Sequence, residues 1–164
     1  MATWDWQVFC KSRDTSEVLA GCFGNDGEVT YFQWMLEAWG WTLQVALLSL
    51  VVALVVGSLM GILRTTPHKW LVLIGNAWTE LFRNVPLLVQ MFLWFFVVPE
   101  LLPREFSLWV KQDMPAKEFV TATLCLGLFT SARIAEQVRA GIQSLPRGQC
   151  EAALALGLTT LQCY

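Results

Sequence analysis

The fold is decided by the stretch Val45-Ala-Leu-Leu-Ser-Leu-Val-Val-Ala-Leu-Val-Val-Gly-Ser-Leu-Met-Gly-Ile-Leu63. It belongs to a run of 26 uncharged residues between Glu37 and Arg64, longer than the roughly 20 that a helix needs to cross a bilayer. Its six Leu, five Val and one Ile favour insertion by about −4 to −7 kcal/mol in total, at about −0.3 to −0.6 kcal/mol each. The sequence therefore predicts a membrane-spanning helix over 42–63.

The composition supports a membrane protein. Of the 164 residues, 55% are hydrophobic and 15% are charged, against about 25% charged in ordinary soluble chains. Trp34, Trp39 and Trp41 crowd the start of the predicted span, as residues at a membrane–water interface do. The net charge of −2 gives no reason to expect a nucleic-acid partner. One His, without a cluster of His, Cys and Asp, argues against a metal site.

A second passage is predicted over 77–98. The charge-free stretch there has sixteen residues, which is short for a span, so the helix is expected to begin near Ala77. Pro86 lies inside it and predicts a kink or a short helix break.

A third passage is predicted over 117–138, and its energy balance is marginal. Only fourteen consecutive residues are uncharged before Arg133 and Glu136. A central Arg costs about 2.5–3.5 kcal/mol, whereas the eight strongly apolar residues of this stretch offer about −2.4 to −4.8 kcal/mol. Because these contributions nearly cancel, we expect protein neighbours around the charged end of this helix, as in a bundle.

Charge sets the orientation. Residues 1–41 carry six acidic and two basic side chains, while the short loop after the first span carries Arg64 and Lys69. The positive-inside rule therefore places residues 1–41 outside, as an N-terminal arm. The loop before the third passage also carries three bases, so the bias is modest. Three passages leave the residues after Val138 in the cytoplasm.

Three segments, in order along the chain, carry recognisable motifs. The first, Glu80-Leu-Phe-Arg-Asn-Val-Pro-Leu-Leu-Val-Gln90, is similar to the second-helix motif in the permease subunits of bacterial ABC importers for polar amino acids. Ala135-Glu-Gln-Val-Arg-Ala-Gly-Ile-Gln-Ser-Leu-Pro-Arg-Gly-Gln149 resembles the run into their cytoplasmic loop, and Glu151-Ala-Ala-x-x-x-Gly157 matches the first half of the loop motif. Two shorter details look closest to glutamate/aspartate permeases: Pro99-Glu-Leu-Leu-Pro103 and Leu124-Cys-Leu-Gly-Leu-Phe129.

The resemblance implies an all-α transmembrane fold, the type I ABC importer permease bundle, with three of about five helices present. It implies a multi-pass protein of the bacterial inner membrane with a periplasmic N-terminus (residues 1–41) and a partial transmembrane domain (42–164). The implied partners are an ATP-binding subunit, a second permease subunit (homo- or heterodimer), a periplasmic solute-binding protein and membrane lipid.

No enzymatic activity is expected of this chain. Its sequence contains no Walker motif, Gly-rich phosphate loop or nucleophile–base pair, so ATP is expected on the partner subunit and no cofactor on this chain. The implied function is import of polar amino acids, with glutamate or aspartate the substrate, and no substrate-binding residue can be named. The family's Ile-x-Leu-Pro half-motif is absent, which indicates C-terminal truncation. The alternative is a non-transporting truncated fragment of such a permease.

The resemblance assigns coupling to the ATPase to a cytoplasmic loop over 139–160. A proline fits the first turn of a short helix there, and a glycine can end that helix with positive φ. Two small alanines would allow close approach to a groove in the partner. The alternative is an ordinary amphipathic helix at the membrane interface. The predicted coupling residues are Pro146, Arg147, Gly148, Glu151, Ala152, Ala153 and Gly157.

Five charged residues are candidates for a gate or for structural ion pairs. Glu80 and Arg83 are three residues apart on one helix face and can pair. Arg133, Glu136 and Arg139 share that spacing and form a charge ladder on the third helix. We expect structural salt bridges that hold the helix ends against their neighbours, with gating as the alternative.

Two further features concern packing and redox state. Gly57-Ser-Leu-Met-Gly61 is a small-xxx-small motif, which predicts close helix packing, either within the chain or in a dimer. Cys10 and Cys22 lie in the arm placed outside, where disulfides persist, so a bridge and two free thiols both remain open.

Overall fold

The computed structural model describes residues 5–19, 22–23, 29–157 and 159. A 3₁₀ helix at Trp6–Cys10 precedes the first α-helix, and π-helical turns at Leu93–Val97 and Trp109–Asp113 follow the third and the fifth. In these ranges the only β structure is two isolated bridges, so the all-α prediction is confirmed. The described α-helices are α1 Tyr31–Leu63, α2 Lys69–Asn84, α3 Leu87–Phe92, α4 Val98–Leu101, α5 Arg104–Leu108, α6 Lys117–Gln143 and α7 Arg147–Ala155.

The chain divides into two compact units, Met1–Ala46 and Leu47–Tyr164. In the first unit a disulfide joins Cys10 to Cys22, which decides the question that the sequence left open. The backbone of the arm forms isolated antiparallel bridges between Lys11 and Val18 and between residues 12 and 30. Disulfide and bridges together close the arm on itself.

A capping box starts α1. The Gln33 backbone N–H donates to Thr30 Oγ1, and the Thr30 N–H donates to Gln33 Oε1, both at 3.3 Å. This reciprocal pair satisfies two donors that a helix N-terminus otherwise leaves open. The helix therefore begins at Tyr31 and includes residues that the sequence assigned to the arm, before the predicted span 42–63.

The exposure pattern of α1 is the reverse of that in a soluble helix. Large apolar side chains are exposed, such as Leu47 (62%) and Val51 (58%), while the buried residues are small. Exposed aliphatic side chains on a helix of 33 residues suit contact with lipid tails. The buried face consists of Ser49, Ala53, Gly57 and Gly61.

These small residues pack directly against α6. A Cβ added to Gly57 would lie 2.7 Å from the Ser131 carbonyl oxygen and from Ile134 Cβ. In α6, Gly127 has the matching role, because a Cβ there would lie 2.8 Å from Val52 Cβ. The packing role predicted for the small-xxx-small motif is confirmed within the chain. The motif extends to α6, where the facing small residues Thr123, Gly127, Ser131 and Ala135 are also buried.

Helices α1 and α6 run parallel. Ser49 Oγ donates to the Thr123 carbonyl at 3.1 Å, and further along both helices Gly61 faces Val138. The C-terminal ends of α1 and α6 therefore lie at the same end of the bundle. If both helices cross a membrane, the chain between them must cross back once.

The returning segment is a bent pair of helices. Helix α2 ends at Asn84, Val85 is extended, and the segment Leu87–Leu101 continues at an angle of 102°. The predicted start near Ala77 is corrected to Lys69, whereas the break predicted at Pro86 is confirmed. The ring of Pro86 disfavours helical backbone at Val85 and removes one backbone donor.

Gln90 stabilises this break. Its Nε2 donates to the Phe82 carbonyl at 3.0 Å and to the Val85 carbonyl at 2.9 Å, and the side chain is buried. Both acceptors belong to the end of α2, where carbonyl groups lack intrahelical partners. The glutamine that closes the second-helix motif thus supplies donors to the helix end that the proline creates.

Helix α6 is continuous over 27 residues and extends past the predicted end at 138. Among the described residues, two helices, α1 and α6, are long and apolar enough to cross a membrane. The bent pair Lys69–Asn84 with Leu87–Leu101 is a third crossing if it is one span.

Candidate functional site

The described part of the chain contains one charge cluster shared by three helices, and it is centred on Arg64. This arginine follows α1 directly, and 6% of its side chain is exposed. Its Nε donates to Asn76 Oδ1 at 2.8 Å, and its Nη1 donates to Thr79 Oγ1 at 3.2 Å. Nη1 also lies 3.1 Å from Glu136 Oε1 on α6. A buried guanidinium requires such a set of acceptors because desolvation of an unpaired charge is costly.

Because Gly75 has no side chain, the Arg64 side chain can lie across α2. A Cβ at Gly75 would lie 2.5 Å from Arg64 Cγ and 3.1 Å from the Met60 carbonyl oxygen. One turn later, the Thr79 hydroxyl donates to the Gly75 carbonyl at 2.8 Å, so its oxygen can accept from Arg64. The Gly75 and Thr79 pair therefore forms a notch on α2 for the arginine stem and head group.

Glu136 links the ends of α1 and α2 to α6. Its Oε1 accepts from Arg83 Nη1 at 3.0 Å in addition to the contact with Arg64. The predicted pairing of Glu80 with Arg83 is wrong, since Arg83 reaches across to α6 and, among the described residues, Glu80 has no ion pair. Nearby, Trp78 Nε1 donates to Ser131 Oγ at 3.1 Å and fixes α2 against α6.

The predicted ladder on α6 does not form as a unit. Arg133 lies over the ring of Phe129, with Cζ 4.9 Å from the ring centroid. The Nε of Arg139 is buried and has no hydrogen-bond partner in the described ranges. Of the three ladder residues, only Glu136 joins the ion-pair cluster.

The predicted coupling residues lie on and beside α7. Pro146 precedes the helix with φ −60°, and Gly157 follows it with φ +87°, the positive value expected from the sequence. Gly148, Glu151 and Ala152 are exposed and Ala153 is half-buried. The Arg147 side chain and residues 158 and 160 of the predicted loop fall outside the described part of the chain.

Arg64 was not among the site residues predicted from the sequence, nor were its partners Asn76 and Thr79. Its position in the sequence could have identified Arg64, because it is the first charged residue after the long apolar run. The spacing of Gly75 and Thr79, four residues apart, marks a small-residue face on α2. Neither pattern identifies Glu136 as the partner, because that contact joins residues far apart in sequence.

Known proteins match the chain along most of its length. The family described as "Binding-protein-dependent transport system inner membrane component" matches residues 31–164. The glutamate/aspartate import permease protein GltJ of Escherichia coli (strain K12) is 45% identical over 163 residues, which is 98% of this chain and 62% of that protein. The glutamate/aspartate import permease protein GltK of Escherichia coli O157:H7 is 34% identical over 122 residues, 74% of this chain and 53% of that protein.

A solved structure is also similar. It is described as the crystal structure of an amino acid ABC transporter with histidines, and it matches with a TM-score of 0.58 and 26% identity over 80% of this chain and 60% of that one. This chain thus spans 62% of GltJ and 53% of GltK. The motifs, the helical bundle and these matches lead to one assignment. The chain belongs to the family of inner membrane components of binding-protein-dependent transport systems.

Proposed function

We propose that this chain is the membrane-spanning permease part of an ATP-driven importer of polar amino acids, with glutamate and aspartate as its substrates. The observation that carries the proposal is the 45% identity to GltJ across 98% of the chain. The close packing of α1 on α6 and the lipid-compatible exposure of α1 support a membrane bundle. This chain spans 62% of the length of GltJ.

The proposed partners follow from the way such a system divides its work. An ATP-binding subunit supplies free energy and holds the ATP, and this chain binds no cofactor. A periplasmic solute-binding protein delivers the amino acid, in accord with the name of the family. A second permease subunit completes the membrane part, and the similarity to both GltJ and GltK supports pairing of two related chains.

The orientation is proposed with the N-terminal arm in the periplasm. The charge asymmetry supports it, and so does the Cys10–Cys22 disulfide, because disulfides persist in oxidising compartments. The parallel course of α1 and α6 then brings the end of α6 and the start of the following segment to the cytoplasmic end of the bundle.

Coupling to the ATPase is proposed for α7 and its flanks. The helix is short and presents Glu151 and Ala152 to solvent, and Leu156 after it is 83% exposed. An exposed leucine beside small residues suits contact with a groove in a partner. Glu151 can accept charge-assisted hydrogen bonds from basic groups on that partner.

The test is a chimera in which this chain replaces the aligned part of GltJ in cells that lack GltJ. We expect uptake of radiolabelled glutamate and co-purification of the ATP-binding subunit. Ala153→Trp should abolish both, because the indole overfills the contact, while leaving membrane insertion unchanged. The matched control is Ala38→Trp. Ala38 is an exposed alanine near the start of α1 and lies outside α7, so this variant should retain co-purification.

Two outcomes contradict the proposal. Ala153→Trp with wild-type uptake and co-purification would show that α7 is not the coupling element. A chimera that inserts and assembles but takes up no glutamate would favour the alternative, a membrane fragment that does not transport.

A further inference from the structure

A cleft between α2 and α6 lies beside the charge cluster. It is lined by Phe82 and Arg83 of α2 and by Phe129, Arg133 and Glu136 of α6, and its volume is about 420 Å³. Two aromatic rings and three charged groups therefore share one concavity. Sites for small molecules combine apolar surface with a few placed polar groups in this way.

The cleft carries excess positive charge. Arg83 and Arg133 line it together with one carboxylate, that of Glu136. Arg64 already neutralises Glu136 from the buried side. A cation within a membrane helix calls for an anionic partner, and the described part of the chain supplies no ion pair to Arg133.

The geometry of the arginines suits carboxylates. Arg133 Cζ lies over the Phe129 ring, 4.9 Å from the ring centroid, and a guanidinium carries its N–H donors along its planar edge. That edge matches the two oxygens of a carboxylate. The Arg83 side chain is 55% exposed and uses Nη1 for Glu136, so further N–H groups remain for a second carboxylate.

Glu136 contributes an acceptor. Arg64 and Arg83 both contact its Oε1, and within the described residues Oε2 has no partner. Glu136 lines the cleft together with Arg83 and Arg133, and this oxygen can accept a hydrogen bond from an ammonium group. The cleft thus offers two carboxylate sites and one ammonium site.

We propose that this cleft binds a zwitterionic acidic amino acid on its way through the permease. Arg133 holds the side-chain carboxylate, Arg83 the α-carboxylate, and Glu136 Oε2 accepts from the α-ammonium. The proposal rests on the proposed function and makes Arg133 a specificity-determining residue. Glutamate carries all three groups, whereas glutamine lacks the second carboxylate and glutarate lacks the ammonium.

The experiment measures binding of radiolabelled L-glutamate to the 164-residue chain in phosphatidylcholine nanodiscs. We expect saturable binding that unlabelled glutamate displaces about tenfold or more better than glutamine or glutarate, since each lacks a charged group. Arg133→Gln should weaken binding about tenfold or more, and Arg133→Lys less, because lysine keeps the charge without the planar fork. The control is Arg104→Gln, an exposed arginine of α5 outside the cleft, which should bind like wild type.

Several results would overturn the proposal. Absence of saturable binding would do so, as would equal displacement by glutamine or equal weakening by Arg133→Gln and Arg104→Gln. Circular dichroism checks that Arg133→Gln is folded, and Arg133→Lys tests the same point if it is not. In discs that contain phosphatidylglycerol, a lipid that Arg133→Gln releases and glutamate does not displace would assign Arg133 to a headgroup instead.

Uptake by the chimeric importer separates this site from the proposed function. Reduced uptake in Arg133→Gln, with a wild-type level of assembly, supports the site. Unchanged uptake overturns the site alone and leaves the function in place. Failure of the wild-type chimera to take up glutamate overturns the function.

Discussion

At the scale of single residues, Glu136 and its two arginines have unequal surroundings. The Arg64 side chain is 6% exposed, whereas that of Arg83 is 55% exposed. A buried cation that loses its carboxylate remains uncompensated, while an exposed one is solvated by water. Stability should therefore depend on the buried half of this cluster.

We expect Glu136→Gln to lower the free energy of unfolding by about 3 kcal/mol, because it leaves Arg64 buried with neutral partners only. Arg83→Gln should cost less than about 1 kcal/mol, as exposed ion pairs do. Reversible unfolding in mixed micelles, followed by circular dichroism, measures both. Equal costs for the two variants would contradict the assignment of Arg64 as the buried centre.

The charged residues show what sequence spacing can predict. Arg83 and Glu136 were correctly chosen as candidates for structural pairs, but their partners were not. A spacing of three residues identifies neighbours on one helix only. The pairs formed here join α1 and α2 to α6, and that choice depends on how the helices pack.

At the scale of elements, α1 packs against α6 through small residues. Gly57 faces backbone and Cβ atoms of α6. A Cβ added to Gly40, in the same helix, would have no heavy atom within 4 Å. Gly57 and Gly40 can therefore serve as a test position and its control within one helix. The close approach of α6 explains the glycine at position 57, whereas nothing around position 40 requires a glycine.

Gly57→Ala should lower the free energy of unfolding by about 1–3 kcal/mol, since the helices must separate to admit a methyl group. Gly40→Ala should be neutral or raise it by up to about 1 kcal/mol through helix propensity. Cysteine crosslinking of α1 to α6, together with the same unfolding measurement, checks both. A stabilised Gly57→Ala protein would show that the two helices are not in contact.

The elements also show where prediction stops. Hydrophobic runs located three helical segments, and Pro86 indicated the break between α2 and α3. The angle of 102° was not predictable, because it depends on Gln90 and on contacts with α6. The ends of the helices shifted for local reasons, such as the capping box of Thr30 and Gln33.

At the scale of the whole chain, the parallel course of α1 and α6 constrains topology. Both helices are long and apolar enough to cross a membrane, and if both do, the residues between them must return to the starting side. Helix α2 follows the end of α1, and the bent segment Leu87–Leu101 follows it. The number of membrane crossings from α1 to α6 is then odd. The start of α1 and the end of α6 therefore lie on opposite sides of the membrane.

The resulting prediction concerns cysteine labelling in intact cells with a membrane-impermeant maleimide. One variant lacks Cys150 and Cys163 and keeps the disulfide of Cys10 and Cys22, and the other lacks the two arm cysteines. The first should be labelled only after reduction, because its disulfide must open before either thiol reacts. The second should be labelled only after the cells are permeabilised, because the proposed orientation places residues 150 and 163 in the cytoplasm. Cys125 is buried and common to both variants, so it serves as the internal control. Labelling of the second variant in intact cells would invert the topology, and would place α7 on the side away from any ATPase.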